Sequence, residues 1–181
     1  MSARFRAIPP AEALNHKMPE WLLFVVSRSP QGAVDIMTAG WAMSCSAEPL
    51  MFAVAIGPSK HTATLIEASG EFNLCWAAEG YHDMVTFCGT RSGREIDKIA
   101  ELKLATAPAT VNTAPLIEGC TLAVECQLRE VYPSGDHRLY LGEVVAAHLA
   151  ESPARTMVNF GGYYAAALPD PPRPPEADPG V

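Results

Sequence analysis

Apolar residues in this chain fall into short runs broken by turn residues, and the runs keep strand length and strand composition. Residues 20–27 (Glu-Trp-Leu-Leu-Phe-Val-Val-Ser) are rich in β-formers and predict a strand. Residues 28–32 read as a turn, 33–43 as a second strand, and Leu50–Ile56 as a third. The third is apolar throughout, so burial on both faces is expected. Residues 60–69 set Leu65 and Ile66 on one side with Gly70 just beyond, the way a short helix stops. A strand follows over 71–77 and a short helix over 81–87. Ile96, Ile99 and Leu102 recur at helical spacing, which predicts an amphipathic helix over 94–102. Between Pro108 and Gly119 the chain reads as a loop. Residues 121–130 alternate cleanly, with Leu122, Val124, Cys126 and Leu128 on one face. Pro133-Ser-Gly-Asp136 is turn chemistry, and His137–Leu149 completes an antiparallel hairpin.

Six strands with short helices at their corners, and no regular βαβ alternation, predict a mainly β fold. A closed or nearly closed antiparallel barrel satisfies that pattern. No GxGxxG follows a strand, which disfavours a doubly wound dinucleotide fold. Residues 1–168 are expected to form one domain. Six of the sixteen prolines fall in 169–181, so this tail is expected to be an extended or disordered appendage.

Composition narrows the class of function. With 181 residues and 49% hydrophobic content, one sizeable core is available. No apolar run reaches the roughly 18 residues of a membrane span, and the N-terminus lacks a signal pattern. A cytoplasmic location is expected. A net charge of -7 without a basic cluster argues against nucleic acid. Five cysteines without a CxxC pair read as buried free thiols, and His16, His82 and His148 have no ligand-like spacing, so no metal is assigned.

Candidate chemistry begins at Ser59-Lys60-His61-Thr62, directly after Gly57-Pro58 and at a helix start. One reading is a plain cap, with Ser59 as N-cap and Thr62 at the third helical position. The other is a phosphate site, since free N–H groups, two hydroxyls and a cation meet there. Lysine is scarce in the chain, and Lys60 sits where a cation opposes the helix dipole; an anion would remove that conflict.

Residues 38–46 include Thr38, Ala39, Gly40, Ala42, Ser44 and Ser46, small enough to let a flat ring lie against the backbone. A tightly packed barrel corner asks for the same residues. Gly89-Thr-Arg-Ser-Gly-Arg94 lacks the Gly-Lys-Ser/Thr of a Walker loop. It either brings Ser92 and backbone amides near an anion or is a polar turn capped by Ser92. His137 stands after a turn, as a surface residue or as one that meets a nicotinamide or substrate at a barrel mouth. A phosphate at one end and a flat small-residue strand at the other suggest FMN.

With these residues set out, the chain resembles the flavin reductase-like family with the FMN-binding split barrel, especially its flavoredoxin branch. The matching segments are Met37-Thr-Ala-Gly-Trp-Ala-Met-Ser44, Ile56-Gly-Pro-Ser-Lys-His-Thr62, Cys88-Gly-Thr-Arg-Ser-Gly-Arg94 with Asp97-Lys98, and Gly135-Asp-His137 with Gly142-Glu-Val144. The resemblance implies an antiparallel, Greek-key-like split barrel that forms a homodimer and binds FMN near the subunit interface. Ser59, Lys60 and Thr62 would then hold the phosphate, while Thr38, Ala39, Ser44 and Cys45 line the ring. Ser92 and Arg94 would contact the cofactor's tail, and Tyr163 or Tyr164 would close over the site. His137 is the substrate-side candidate.

The implied activity is an FMN oxidoreductase that takes hydride from NADH or NADPH and passes electrons to an acceptor protein or monooxygenase. The alternatives are a flavoredoxin-like electron carrier and a non-enzymatic ligand-binding barrel. Two departures stand out: Asp35, where many relatives carry Asn, and Cys45-Ser-Ala-Glu48. A carboxylate beside the flavin would disfavour a reduced anion.

Overall fold

The computed structural model describes residues 5–152, 155–161 and 164–166. Its strands are β1 (Glu20–Trp21), β2 (Leu23–Arg28), β3 (Val34–Ala39), β4 (Ala42–Ala47), β5 (Leu50–Ile56), β6 (Glu71–Trp76), β7 (Thr106–Ala107), β8 (Leu116–Ile117), β9 (Leu122–Ser134), β10 (His137–Leu149), β11 (Met157–Asn159) and β12 (Tyr164–Ala166). The α-helices are α1 (Ala13–His16), α2 (His61–Ser69), α3 (His82–Thr90) and α4 (Lys98–Leu102). Seven strands form one antiparallel sheet in the order β3-β2-β6-β9-β10-β5-β4. A small sheet, β1-β11-β12, stands beside it.

The two edges of the large sheet, β3 and β4, are consecutive in the chain and joined only by Gly40 and Trp41. The edges therefore approach at that corner without pairing, and the sheet curls into a split barrel rather than a closed one. The expected second strand over 33–43 is two strands broken at this corner.

Two apolar layers explain the sequence pattern. Leu23, Val25, Met37, Val54, Ile56, Phe72, Leu74, Val124, Cys126 and Tyr140 share the barrel interior, which Ala63 and Ile66 of α2 join. Leu22, Phe24, Val26, Ile36, Cys75, Val85, Cys88 and Ile117 pack on the other face under α3 and α4. The strands buried on both faces are thus β2 and β6, not β5. Leu50 of β5 is exposed, and burial increases toward Ile56.

Gly142 of β10 lies so close to Phe72 and Cys126 that a Cβ would sit 2.5 Å from the Phe72 ring. The β9–β10 hairpin turns through Gly135 and Asp136, with Gly135 at φ 62°. The helix expected over 94–102 is only α4. Residues 91–97 are turns, and the Asp97 carboxylate caps α4 by accepting from the Ala100 N–H at 3.1 Å.

Two buried carboxylates hold the irregular segment 110–114. Glu125 accepts the N–H groups of Thr110, Val111 and Asn112, each at 2.7 Å. Glu71 accepts the N–H and hydroxyl of Thr113 at 2.6 Å. Asn112 in turn bridges to Asn73, and Gln127 donates to Asn112. Burial pushes the Glu125 carboxyl up, but these N–H groups and His148 Nε2 at 2.7 Å outweigh it and hold it below its ordinary value.

Candidate functional site

The loop 57–60 and the start of α2 form one wall of a cavity of about 230 Å³. Opposite lie Asp35 and Met37 of β3, the end of α3 at Cys88–Thr90, and the turn bearing Arg91, Ser92 and Arg94. Ser59, Lys60, Thr62, Ser92 and Arg94 therefore meet in one place. The N-cap of α2 is Lys60, not Ser59, and no side chain caps the helix. Its first-turn N–H groups are left as donors at the positive end of the helix dipole.

The lining holds four cations, Lys60, Arg91, Arg94 and Lys98, against one carboxylate, Asp35. His61 lines the same cavity, and its Nδ1 is buried without a hydrogen-bond partner. An orphaned polar atom, open helix donors and surplus cations fit an anionic group such as a phosphate monoester.

Asp35 plays a different part from the one expected of it. It is 3% exposed, and Lys98 Nζ, equally buried, lies 2.9 Å from its Oδ1. Thr62 Oγ1 donates to Asp35 Oδ2 at 2.7 Å, and Lys98 also donates to the Ile36 carbonyl at 2.6 Å. The carboxylate is thus matched in charge at the floor of the cation-lined cavity, one strand position pair away from Met37, and its negative charge is not free to act on a ring. Thr62, read as a phosphate ligand, spends its hydroxyl proton on Asp35.

A second cavity, of about 250 Å³, shares Met37 and Lys60 with the first. Thr38, Ala39, Gly40, Trp41, Ala55, Gly57 and His137 line it, together with Glu20 and Asn159. Thr38 donates its hydroxyl to the Val85 carbonyl at 2.7 Å, so α3 fixes β3 and the Thr38 hydroxyl faces the helix. The His137 ring packs on Trp41 with centroids 4.8 Å apart, and its Nδ1 lies 2.7 Å from Asp136 Oδ1. That hydrogen bond holds the Asp136 carboxyl below its ordinary value.

Beyond Trp41 a third, more apolar cavity of about 400 Å³ shares Glu20, Gly40, Trp41 and Ala55 with the second and adds Trp21, Met43 and Leu139. Lys17 and Glu20 form an ion pair at its edge. The three cavities make one trough, cationic at one end and aromatic at the other.

Ser44 and Cys45 line none of these cavities. They are exposed on edge strand β4, where the register shifts between Ser44 and Ser46 and Cys45 is the unpaired bulge residue. Cys45 also departs from the expectation of buried thiols, which Cys75, Cys88, Cys120 and Cys126 meet. Burial pushes the Cys88 thiol up to about 11 and the Cys126 thiol up to about 12. Tyr163 lies outside the described residues. Tyr164 opens β12 and pairs with Asn159 of the trough.

Lys98, Met37 and Glu20 were missed as site residues. For Lys98 a signal existed: Asp35 interrupts an apolar strand, and a buried carboxylate demands a buried cation.

Residues 15–167 match the Flavin reductase like domain family. An uncharacterized protein of Aeropyrum pernix is 36% identical over 77% of this chain, a match that spans 54% of that protein. The NADH-dependent FMN reductase AsuE2 of Streptomyces nodosus subsp. asukaensis is 28% identical over 76% of this chain and 72% of its own length. Among solved structures, the FMN-binding protein from Thermus thermophilus with bound 1-cyclohex-2-enone superposes with a TM-score of 0.81 at 27% identity. It covers 96% of this chain and 100% of that one.

Proposed function

The chain belongs to the flavin reductase-like family, and from that premise we propose that it is an FMN-binding oxidoreductase that accepts hydride from NADH or NADPH and passes electrons on. The observation that carries this reading is the single trough. Its cationic cavity and the adjoining cavity walled by Trp41 and His137 share Met37 and Lys60, an arrangement that suits a phosphorylated planar cofactor.

In this reading Lys60, Arg91, Arg94 and the first-turn N–H groups of α2 bind the phosphate, and Ser59 and Ser92 add hydroxyls. Lys98 and Asp35 hold β3, the end of α3 and α2 in register beneath it. Ala39 and Gly40 let a ring approach the backbone of β3, and Trp41 with His137 walls its far side. When bound, FMN would supply two-electron chemistry between a nicotinamide and the acceptor. Asp136 orients His137 through Nδ1, which leaves Nε2 as the nitrogen available for a proton or a hydrogen bond to substrate.

Exposed Trp21, Trp41 and Met43 surround the mouth of the trough, and a second copy of this chain would cover them. A homodimer is part of the proposal for that reason.

The reading is tested by mixing the FMN-loaded protein with NADH or NADPH without oxygen and following flavin absorbance. Rapid bleaching by either nicotinamide supports a reductase. Bound flavin that neither nicotinamide reduces points instead to an electron carrier reduced by another protein.

A further inference from the structure

The cation-lined cavity has a strap across its rim. Arg94 lines the cavity and is exposed, yet its guanidinium reaches the opposite wall. Nη1 donates to the Ser59 carbonyl at 2.8 Å, and Nη2 donates to Thr64 Oγ1 at 3.3 Å. The turn that carries it is itself fixed, because the Arg94 N–H donates to Ser92 Oγ at 3.3 Å and the Glu95 N–H to the Ser92 carbonyl at 3.1 Å. The side chain thus ties the segment after α3 to the start of α2. Gly93, next to it, is seated so closely on the Asp35 carboxylate that a Cβ there would overlap it, so the turn rests directly against β3.

We propose that Arg94 is a specificity-determining residue that makes this site select a flavin ending in a phosphate monoester, FMN, over the dinucleotide FAD. The inference rests on the flavin reading of the trough and names the residue that would hold it to FMN. A cavity of about 230 Å³ has room for a phosphate and part of the chain that bears it. The same phosphorus in FAD is a diester that continues into a second phosphate and an adenosine. Where that continuation leaves past Arg94, it breaks both of the strap's hydrogen bonds.

Charge acts in the same direction. A monoester brings up to two negative charges to Lys60, Arg91 and Arg94, whereas the diester brings one at that position. The guanidinium spends two of its N–H donors on the protein and keeps three for the terminal oxygens that only a monoester presents in full.

The test is to titrate the full chain with FMN, FAD and riboflavin, following quenching of flavin fluorescence, for the unaltered protein, Arg94→Ala and Thr64→Val. The unaltered protein should bind FMN at least about tenfold more tightly than FAD, a difference one charge-assisted contact and a blocked exit can supply. Arg94→Ala should weaken FMN while FAD holds or tightens, so that the preference falls about tenfold. Thr64→Val keeps the charge and loosens the strap. It should leave FMN nearly unchanged and move the preference toward FAD. Equal FMN and FAD affinities in the unaltered protein overturn the proposal. So does an Arg94→Ala variant that loses both flavins by the same factor, since Arg94 would then be a charge contact and no selector. Binding of none of the three flavins overturns the flavin reading itself, and the selection with it.

Discussion

Lys60 occupies the point where the cationic cavity of the trough joins the next one, and it is the N-cap of a helix with no side-chain cap. A cation at the positive end of a helix is unfavourable unless an anion lies between them. Lys60→Ala should therefore leave the fold intact and weaken FMN by about 1.5–3 kcal/mol, the range for a hydrogen bond to a charged group, as read from a binding titration. Unchanged affinity would remove Lys60 from the site. Cys45 makes a different prediction at the same scale. It is the exposed bulge residue of β4, whereas the other four thiols are buried, with Cys88 and Cys126 pushed up to about 11 and about 12. Thiolate and exposure together decide reactivity. The native protein should react with one equivalent of a disulfide reagent quickly, and that equivalent should vanish in Cys45→Ser. Several fast thiols would contradict the burial described.

Between elements, the site depends on close approaches that only small residues allow. Gly93→Ala would drive a methyl into the Asp35 carboxylate, which already serves Lys98 and Thr62. The turn 91–94 would lift from β3, so FMN affinity should fall with little loss of secondary structure by circular dichroism. Such distances explain what could be read from sequence and what could not. Alternation named the inward face of β9, and the limits of β5 and β10 followed from their flanking turns. The corner at Gly40-Trp41 is one of two readings the sequence allows, because small residues suit a ring-facing strand as well as a tightly packed corner. The 94–102 helix was over-read for a related reason. Ile99 and Leu102 pack on the core at helical spacing, but Asp97 and Gly93 serve a cap and a close contact upstream, so the helix starts only at Lys98. The phosphate role of Ser59, Lys60 and Thr62 is part of the proposal, but that they come together at a helix start was legible because neighbouring residues define it. The Asp35–Lys98 pair was not, since it spans 63 positions and forms only when α4 packs under β3.

At the scale of the whole molecule, stability and function share one frame. The segment 110–114 has no regular structure and is pinned to the sheet by Glu71 and Glu125. Burial raises Glu125, but its N–H donors and His148 lower it further, and the folded value lies below the ordinary 4.5. The stabilisation is therefore complete above about pH 4.5 and is lost as pH falls through the lower, folded value. Unfolding midpoints should drop on that acid limb, and Glu125→Gln should flatten the dependence while lowering stability at neutral pH by about 1–3 kcal/mol. A limb unaltered in Glu125→Gln would place the acid sensitivity elsewhere.

The central claim is that the trough holds FMN by its phosphate, and the most direct test is the visible spectrum of the purified protein after mixing with FMN and desalting. Flavin bands retained at close to one per chain are the predicted result. A colourless protein under the same conditions, with its fold verified by circular dichroism, would contradict a phosphate-anchored site.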